Sequence, residues 1–384
     1  MLLGATSRSI EQRLEQVGMR PSGFDFLRVC LATGVIGVHT VMACYGPDSQ
    51  EMRAFWNSPL QPMLLFVVPS FFALSGFLVA GSLSRNSIPS FLTLRALRIF
   101  PALACEIVIS ALIIGPAFTA YPLREYFSNE EFRAYFLNIV GDVHQQLPGV
   151  FLDIPFDNVV NFQLWTIPHE LECYIALALL AIIGWTRRPL AFALTTLVAI
   201  AILSAPAIYH GEAFALRPAP VPGRVCVLAF LCGVLLYLWR TRIPFNFVLF
   251  LAATLLSWVL LSNYQTLFAA AAPLSYVTVW LGLQNPKRNF VVAGSDYSYG
   301  LYLYGAPVQQ ALVQLLPQYR VWYVIWPLTI AVAGAAAFLS WNMVERRVLD
   351  SKKPVLRVVD SLGEAVASLL RGSPLFQRIS KPRG

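Results

Sequence analysis

The chain has 384 residues, of which 57% are hydrophobic and only 12% charged. That is more apolar side chain than one soluble core of this length can hide, so a bilayer must take the remainder. A formal charge of +8 could suit a nucleic acid, but the basic residues sit mostly in short loops between apolar runs. That placement marks membrane topology, and no nucleic-acid partner is expected.

Residues 1–23 are polar and form an expected cytoplasmic N-terminal segment. The apolar run that follows lacks a small-residue cleavage signature, so it reads as a retained span and not a signal peptide. Runs long enough to cross about 30 Å of hydrocarbon fall near 24–44, 61–82, 99–119, 163–185, 189–208, 222–239, 245–261, 265–284, 297–316 and 322–342. They predict an all-α, polytopic integral membrane helix bundle of about ten transmembrane helices. Trp56, Trp165, Trp185, Trp239 and Trp322 lie near run ends, where rings anchor at headgroup level. An even number of spans puts both termini on one side. With the N-terminus inside, sixteen loop-region Lys and Arg fall on the inner side and six on the outer, which places the N- and C-termini in the cytoplasm.

Phe24-Asp25-Phe26-Leu27-Arg28 opens the first span, and His39 follows eleven residues later. Eleven residues at about 100° each make nearly three whole turns, so Arg28 and His39 share one helix face about 16 Å apart. Arg28 alone reads first as a snorkelling flank residue. A lone imidazole inside a span needs a partner or a task, which makes His39 the stronger functional candidate. Arg95 and Arg98, with Arg85 nearby, occupy the cytoplasmic approach to the third span. Guanidiniums three apart on a helical turn form a phosphate-binding pair, although ordinary positive-inside charge accounts for them as well.

The longest outer connection, 120–162, carries acidic residues among Pro and Gly and is expected to cover an outward-facing site. At the outer start of the fourth span stands Trp165-Thr166-Ile167-Pro168-His169-Glu170-Leu171-Glu172-Cys173-Tyr174. Pro168 should end or kink the helix there. Glu170 is expected near the depth of His39, and the two could meet if the first and fourth spans touch. Glu170 and Tyr174 share a face and Glu172 does not, while His169 reads as a wet interfacial residue. The tyrosine stripe from Tyr297 to Tyr304, after Asp296, either packs helices or lines a cavity. The six cysteines show no CxxC and no paired spacing, so they read as buried hydrophobes, and no metal site is expected. In the tail, 345–384, Val355, Val359, Leu362, Val366, Leu369 and Leu370 recur at helical spacing against Arg357, Asp360, Glu364 and Arg371. This predicts a helix lying flat on the inner leaflet.

Five of these strings, in this order, resemble the acyltransferase 3 family of integral membrane O-acyltransferases acting on surface or exported glycans. The opening block from Phe24 to His39 is similar to that family's Arg-or-Lys, ten residues, His spacing. Pro69 to Leu78 looks like its second-span signature, Arg95 to Arg98 its Arg-x-x-Arg pair, Trp165 to Tyr174 its Trp-Thr-aliphatic-x-x-Glu block, and Tyr297 to Pro307 its Ser-Tyr-Gly-aliphatic-Tyr-Leu block. Gly305 departs from the pattern, since many relatives carry His before the aromatic-Pro pair. The resemblance implies an acyltransferase transmembrane domain over 24–344 in a bacterial inner (plasma) membrane. It implies acyl-CoA, most often acetyl-CoA, as donor from the cytoplasm and a carbohydrate hydroxyl as acceptor. Under that reading Arg28, Arg95 and Arg98 bind the donor, and His39 is the general base, set by Glu170. A transporter or flippase for glycans or lipid-linked sugars is the rival, because intramembrane charges and broken helices also mark permeation paths.

Overall fold

The computed structural model describes residues 8–19, 21–210, 221–289 and 297–372. Arg20, Arg217 and Asp296 lie outside the described residues, as do the tail beyond 372 and the side chains of Glu364, Val366, Leu369, Leu370 and Arg371. Among the described residues there is no strand, only two isolated bridges, Ser9 with Pro244 and Thr119 with Val150.

The chain runs through α1 (Ile10–Gln16), α2 (Gly23–Tyr45), α3 (Gln50–Trp56), α4 (Gln61–Leu83) and α5 (Ile88–Phe118). A lobe holding α6 (Leu123–Ser128) and α7 (Glu130–Tyr135) follows. Then come α8 (Thr166–Ile182), α9 (Pro189–His210), α10 (Gly223–Leu238), α11 (Phe247–Leu261) and α12 (Ala271–Gly282). The last are α13 (Tyr297–Leu315), α14 (Trp322–Ser340) and α15 (Lys352–Gly372). Every expected span contains a helix. Six helical stretches are long and apolar enough to cross a membrane by themselves. Gly223–Leu238 and Phe247–Leu261 are shorter apolar helices, and α12 has only 12 residues.

Small residues set the closest contact in the bundle. On α4, a Cβ at Gly76 would stand 2.1 Å from the Phe230 carbonyl oxygen; on α10, a Cβ at Gly233 would stand 2.1 Å from that of Ala73. The two backbones thus touch at reciprocal glycines, the packing that replaces hydrophobic drive between helices in lipid. A second close approach joins Gly23, whose N–H bonds Gln284 O at 3.0 Å, to the end of α12.

α5 is longer than its apolar run. Ser87 accepts a hydrogen bond from the Ser90 N–H and Pro89 lies in the first turn, so the helix starts at Ile88 and not near 99. Arg95 and Arg98 are therefore inside the helix. Further along, α5 passes through a π turn at Ser110–Ile114, where the Tyr126 hydroxyl donates to Ala111 O at 2.7 Å. That bond anchors the connection 120–162, which is a folded lobe with buried Tyr126, Tyr135 and Phe151.

Loop contacts sort into two ends. At one end, Ile10 N–H bonds Ile243 O, Glu11 pairs with Arg240 at 3.2 Å, Ser22 bonds Asn285 and Pro286, and Asp360 accepts from Ser87 and Ser90 at 3.0 and 2.6 Å. At the other, Gln61 donates to the Tyr264 hydroxyl at 3.2 Å, Gly46 abuts Pro155, and Arg320 reaches Asp153 O.

Candidate active site

Five helices surround a narrow cavity of about 130 Å³. It is lined along α4 from Val68 to Val79, three helical turns or about 16 Å. Arg28 of α2, Arg95 and Arg98 of α5, Glu170 and Tyr174 of α8, and Tyr299 and Tyr302 of α13 face into it. The three arginines expected to hold a donor thus meet around one space although they come from two separate helices.

Each guanidinium is held by its surroundings. Arg95 lies over the Tyr174 ring at 6.0 Å, and its buried Nε has no hydrogen-bond partner. Arg98 lies over the Tyr299 ring at 5.5 Å and faces Glu345 at 3.7 Å. Glu345 is 3% exposed, sits on a π turn (Trp341–Glu345) and accepts from the Ser340 hydroxyl at 3.1 Å. Arg28 faces Asp25 at 4.0 Å, and Asp25 also faces Arg288 at 3.8 Å. Rings and carboxylates hold the guanidiniums in place against the cavity.

Glu170 and Tyr174 share a face, as their spacing of four requires, and the Tyr174 hydroxyl donates to Glu170 Oε1 at 2.5 Å. Ser75 of α4 joins this chain at 3.2 Å from the Tyr174 hydroxyl. His169 and Glu172 point elsewhere and pair with each other at 3.3 Å, Glu172 also with Arg224 at 3.2 Å.

His39 has a different partner from the one expected. Its Nδ1 lies 3.1 Å from the Gln163 side-chain nitrogen, and the Phe162 ring meets the imidazole edge-on with centroids 4.7 Å apart. The reason is a shift in helix start. A 3-10 turn, Phe162–Trp165, precedes α8 and carries Gln163 at the depth of His39. Glu170, seven residues further, lies about 10 Å deeper, toward Arg28. Pro168 neither ends nor bends the helix, because it occupies the first turn, where a missing N–H costs nothing. Between the cavity and His39, the Tyr302 hydroxyl lies 2.8 Å from Thr166 Oγ1 and donates to Gln163 O at 3.1 Å.

Gln163 carries no charge-in-membrane signal and Glu345 lies beyond the last apolar run, so sequence reasoning passed over them. Tyr299 and Tyr302 belong to the tyrosine stripe and Ser75 to the Pro69–Leu78 block, and both strings line the cavity. Glu106 is different, being an acidic residue visible in the middle of the third apolar run. It is fully buried on α5, takes a 2.6 Å hydrogen bond from Ser110, and its other oxygen has no partner. No cluster of three or more His, Cys, Asp or Glu suited to a metal occurs among the described residues.

Bundle and cavity together define a multi-pass helical membrane protein with a cationic, tyrosine-lined cavity between its helices. The chain belongs to the acyltransferase 3 family: the family's acyltransferase domain matches residues 22–343. Among curated proteins it is similar to an O-acetyl transferase of Shigella phage Sf6, 26% identical over 295 residues, 74% of this chain and 85% of that one. It is also similar to nodulation protein 10 of Rhizobium leguminosarum bv. viciae, 26% identical over 360 residues, 85% and 92% of the two chains. No solved structure matches.

Proposed function

We propose that the protein transfers an acyl group, acetyl in the first instance, from acyl-CoA to a hydroxyl of a cell-surface or exported carbohydrate. It works in a bacterial inner membrane, crossed ten times, with both termini in the cytoplasm. The observation that carries this reading is the convergence of Arg28, Arg95 and Arg98 on one narrow cavity that extends along α4 toward the His39 end of the bundle. Guanidiniums suit the phosphates of the donor, and the slender channel suits a thin pantetheine arm with an acyl thioester at its tip. The phage relative's name supports acetyl as the group.

In this mechanism His39 takes the proton from the acceptor hydroxyl as its oxygen attacks the thioester carbonyl. The C–S bond breaks, the departing thiolate receives the proton from His39, and an ester and a free thiol are the products. Glu170, with Tyr174 and Ser75, lies in the donor cavity, where its carboxyl offsets the three guanidiniums and positions the arm.

The decisive measurement uses purified full-length protein, labelled acetyl-CoA, and surface glycan extracted from cells lacking the protein. His39→Ala should abolish label transfer while inserting normally in the membrane. Full activity in that variant would end the mechanism. Movement of glycan across vesicles without acetyl-CoA would support the transporter reading instead.

A further inference from the structure

We propose that Gln163 is a positioning residue that sets the tautomer of His39, holding the proton on Nδ1 so that Nε2 is the free base. The inference rests on the general-base reading of His39 given above. Gln163 is completely buried, and its backbone is fixed on both sides. Asn161 Oδ1 accepts from its N–H at 3.2 Å, and its carbonyl accepts from Thr166 Oγ1 at 3.3 Å and from the Tyr302 hydroxyl at 3.1 Å. From this fixed base the amide reaches His39 Nδ1 at 3.1 Å, and the Phe162 ring closes on the imidazole. Nδ1 is thereby committed to Gln163, leaving Nε2 as the nitrogen able to meet a hydroxyl.

The two ends of a carboxamide have the same shape and opposite hydrogen-bonding sense. With Oε1 toward the ring, Nδ1–H donates to it and Nε2 carries the lone pair. With the side-chain nitrogen toward the ring, Nδ1 is the acceptor and Nε2 bears the proton, which is the wrong form for a base. As placed, the side-chain nitrogen meets Nδ1 and the buried Oε1 has no hydrogen-bond partner; one end of the amide stays unpaired in either orientation, and the one with Oε1 on the ring is the one that leaves Nε2 free to act as the base. The geometry also explains a glycine. A Cβ at Gly305 would stand 3.0 Å from both the Gln163 side-chain nitrogen and Ile36 Cγ1, so the absence of a side chain there leaves the amide its room.

The chain has four histidines, so ¹⁵N-histidine labelling of the full-length protein, with His39→Asn to assign the signal, reads the tautomer directly. In the parent protein at neutral pH, His39 should show a protonated Nδ1 and a bare Nε2. Gln163→Leu should move the proton to Nε2 and lower kcat roughly tenfold to hundredfold, with the KM for acetyl-CoA unchanged. Gly305→Ala, which keeps Gln163 but crowds its amide, should shift both readouts the same way to a smaller extent and serves if Gln163→Leu does not fold. A bare Nδ1 in the parent protein, or a tautomer that neither variant alters, overturns the proposal. If the tautomer behaves as stated while His39→Ala remains active, the general-base reading fails and the assignment of Gln163 survives.

Discussion

At the scale of single residues, the donor side makes the sharpest claim. Arg95 and Arg98 stand three apart on α5, yet each is held by a different neighbour, the Tyr174 ring for one and Glu345 with the Tyr299 ring for the other. Their contributions should be separable. Arg95→Ala and Arg98→Ala are each expected to raise the KM for acetyl-CoA about tenfold, one charge-assisted contact being worth at least about 1.4 kcal/mol, with a smaller effect on kcat. Donor titration of the purified variants checks this; unchanged KM values in both would remove the arginines from the donor site. The arginines, His39 and Glu170 were legible in the sequence because charge and imidazole stand out against apolar runs. Their pairing was not. Whether Glu170 or Gln163 reaches His39 depends on a start of helix shifted by one 3-10 turn, and an amide in an apolar run signals nothing by itself. Glu106 was legible and was passed over, since no string around it drew attention to an ionisable group at mid-span.

Among the helices, periodicity and hydropathy placed a helix in every apolar run but missed the polar extension of the third. The third apolar run begins near 99, whereas the start signals Ser87 and Pro89 put the helix start three turns earlier. That extension turns Arg95 and Arg98 from loop charges into cavity walls. Close packing was equally hidden, because nothing in the sequence says that Gly76 and Gly233 face one another. Gly233→Val should force α4 and α10 apart at the Ala73 carbonyl, costing roughly 1–3 kcal/mol or more. A thermal scan in detergent should show a fall of several degrees, and a Tm equal to the parent's would refute the crossing. The tail makes another test at this scale. Asp360 accepts from both Ser87 and Ser90, docking α15 on the start of α5, the helix that carries Arg95 and Arg98. Asp360→Ala should speed hydrogen exchange across α15, and equal exchange would show that the docking contributes nothing.

Over the whole molecule, the loops that touch sort into two ends. α1 and the tail meet the loops at Arg240, Asn285 and Ser87, while the lobe carrying Pro155 and Asp153 meets Gly46 and Arg320. Each contact joins loops that a ten-span path assigns to the same side, and no pair in either set crosses between sides. Six helical stretches qualify as spans on length and composition, and α10, α11, α12 and α13 are the other four helices of the proposed ten-span path. α10 and α12 are packed mostly inside the bundle, where a helix need not face lipid along its whole length, whereas α11 turns Val248, Leu251, Leu255 and Val259 outward. On the proposed topology, loop charge puts the arginine-rich end inward. A fluorescent reporter fused at either terminus should therefore light up in the cytoplasm, and alkaline phosphatase inserted at Asp142 in the outer lobe should be active. Phosphatase activity at a terminus would invert or break the ten-span path. It would also put Arg28, Arg95 and Arg98 on the wrong side for a cytoplasmic acyl-CoA, so the same fusion tests the donor's route.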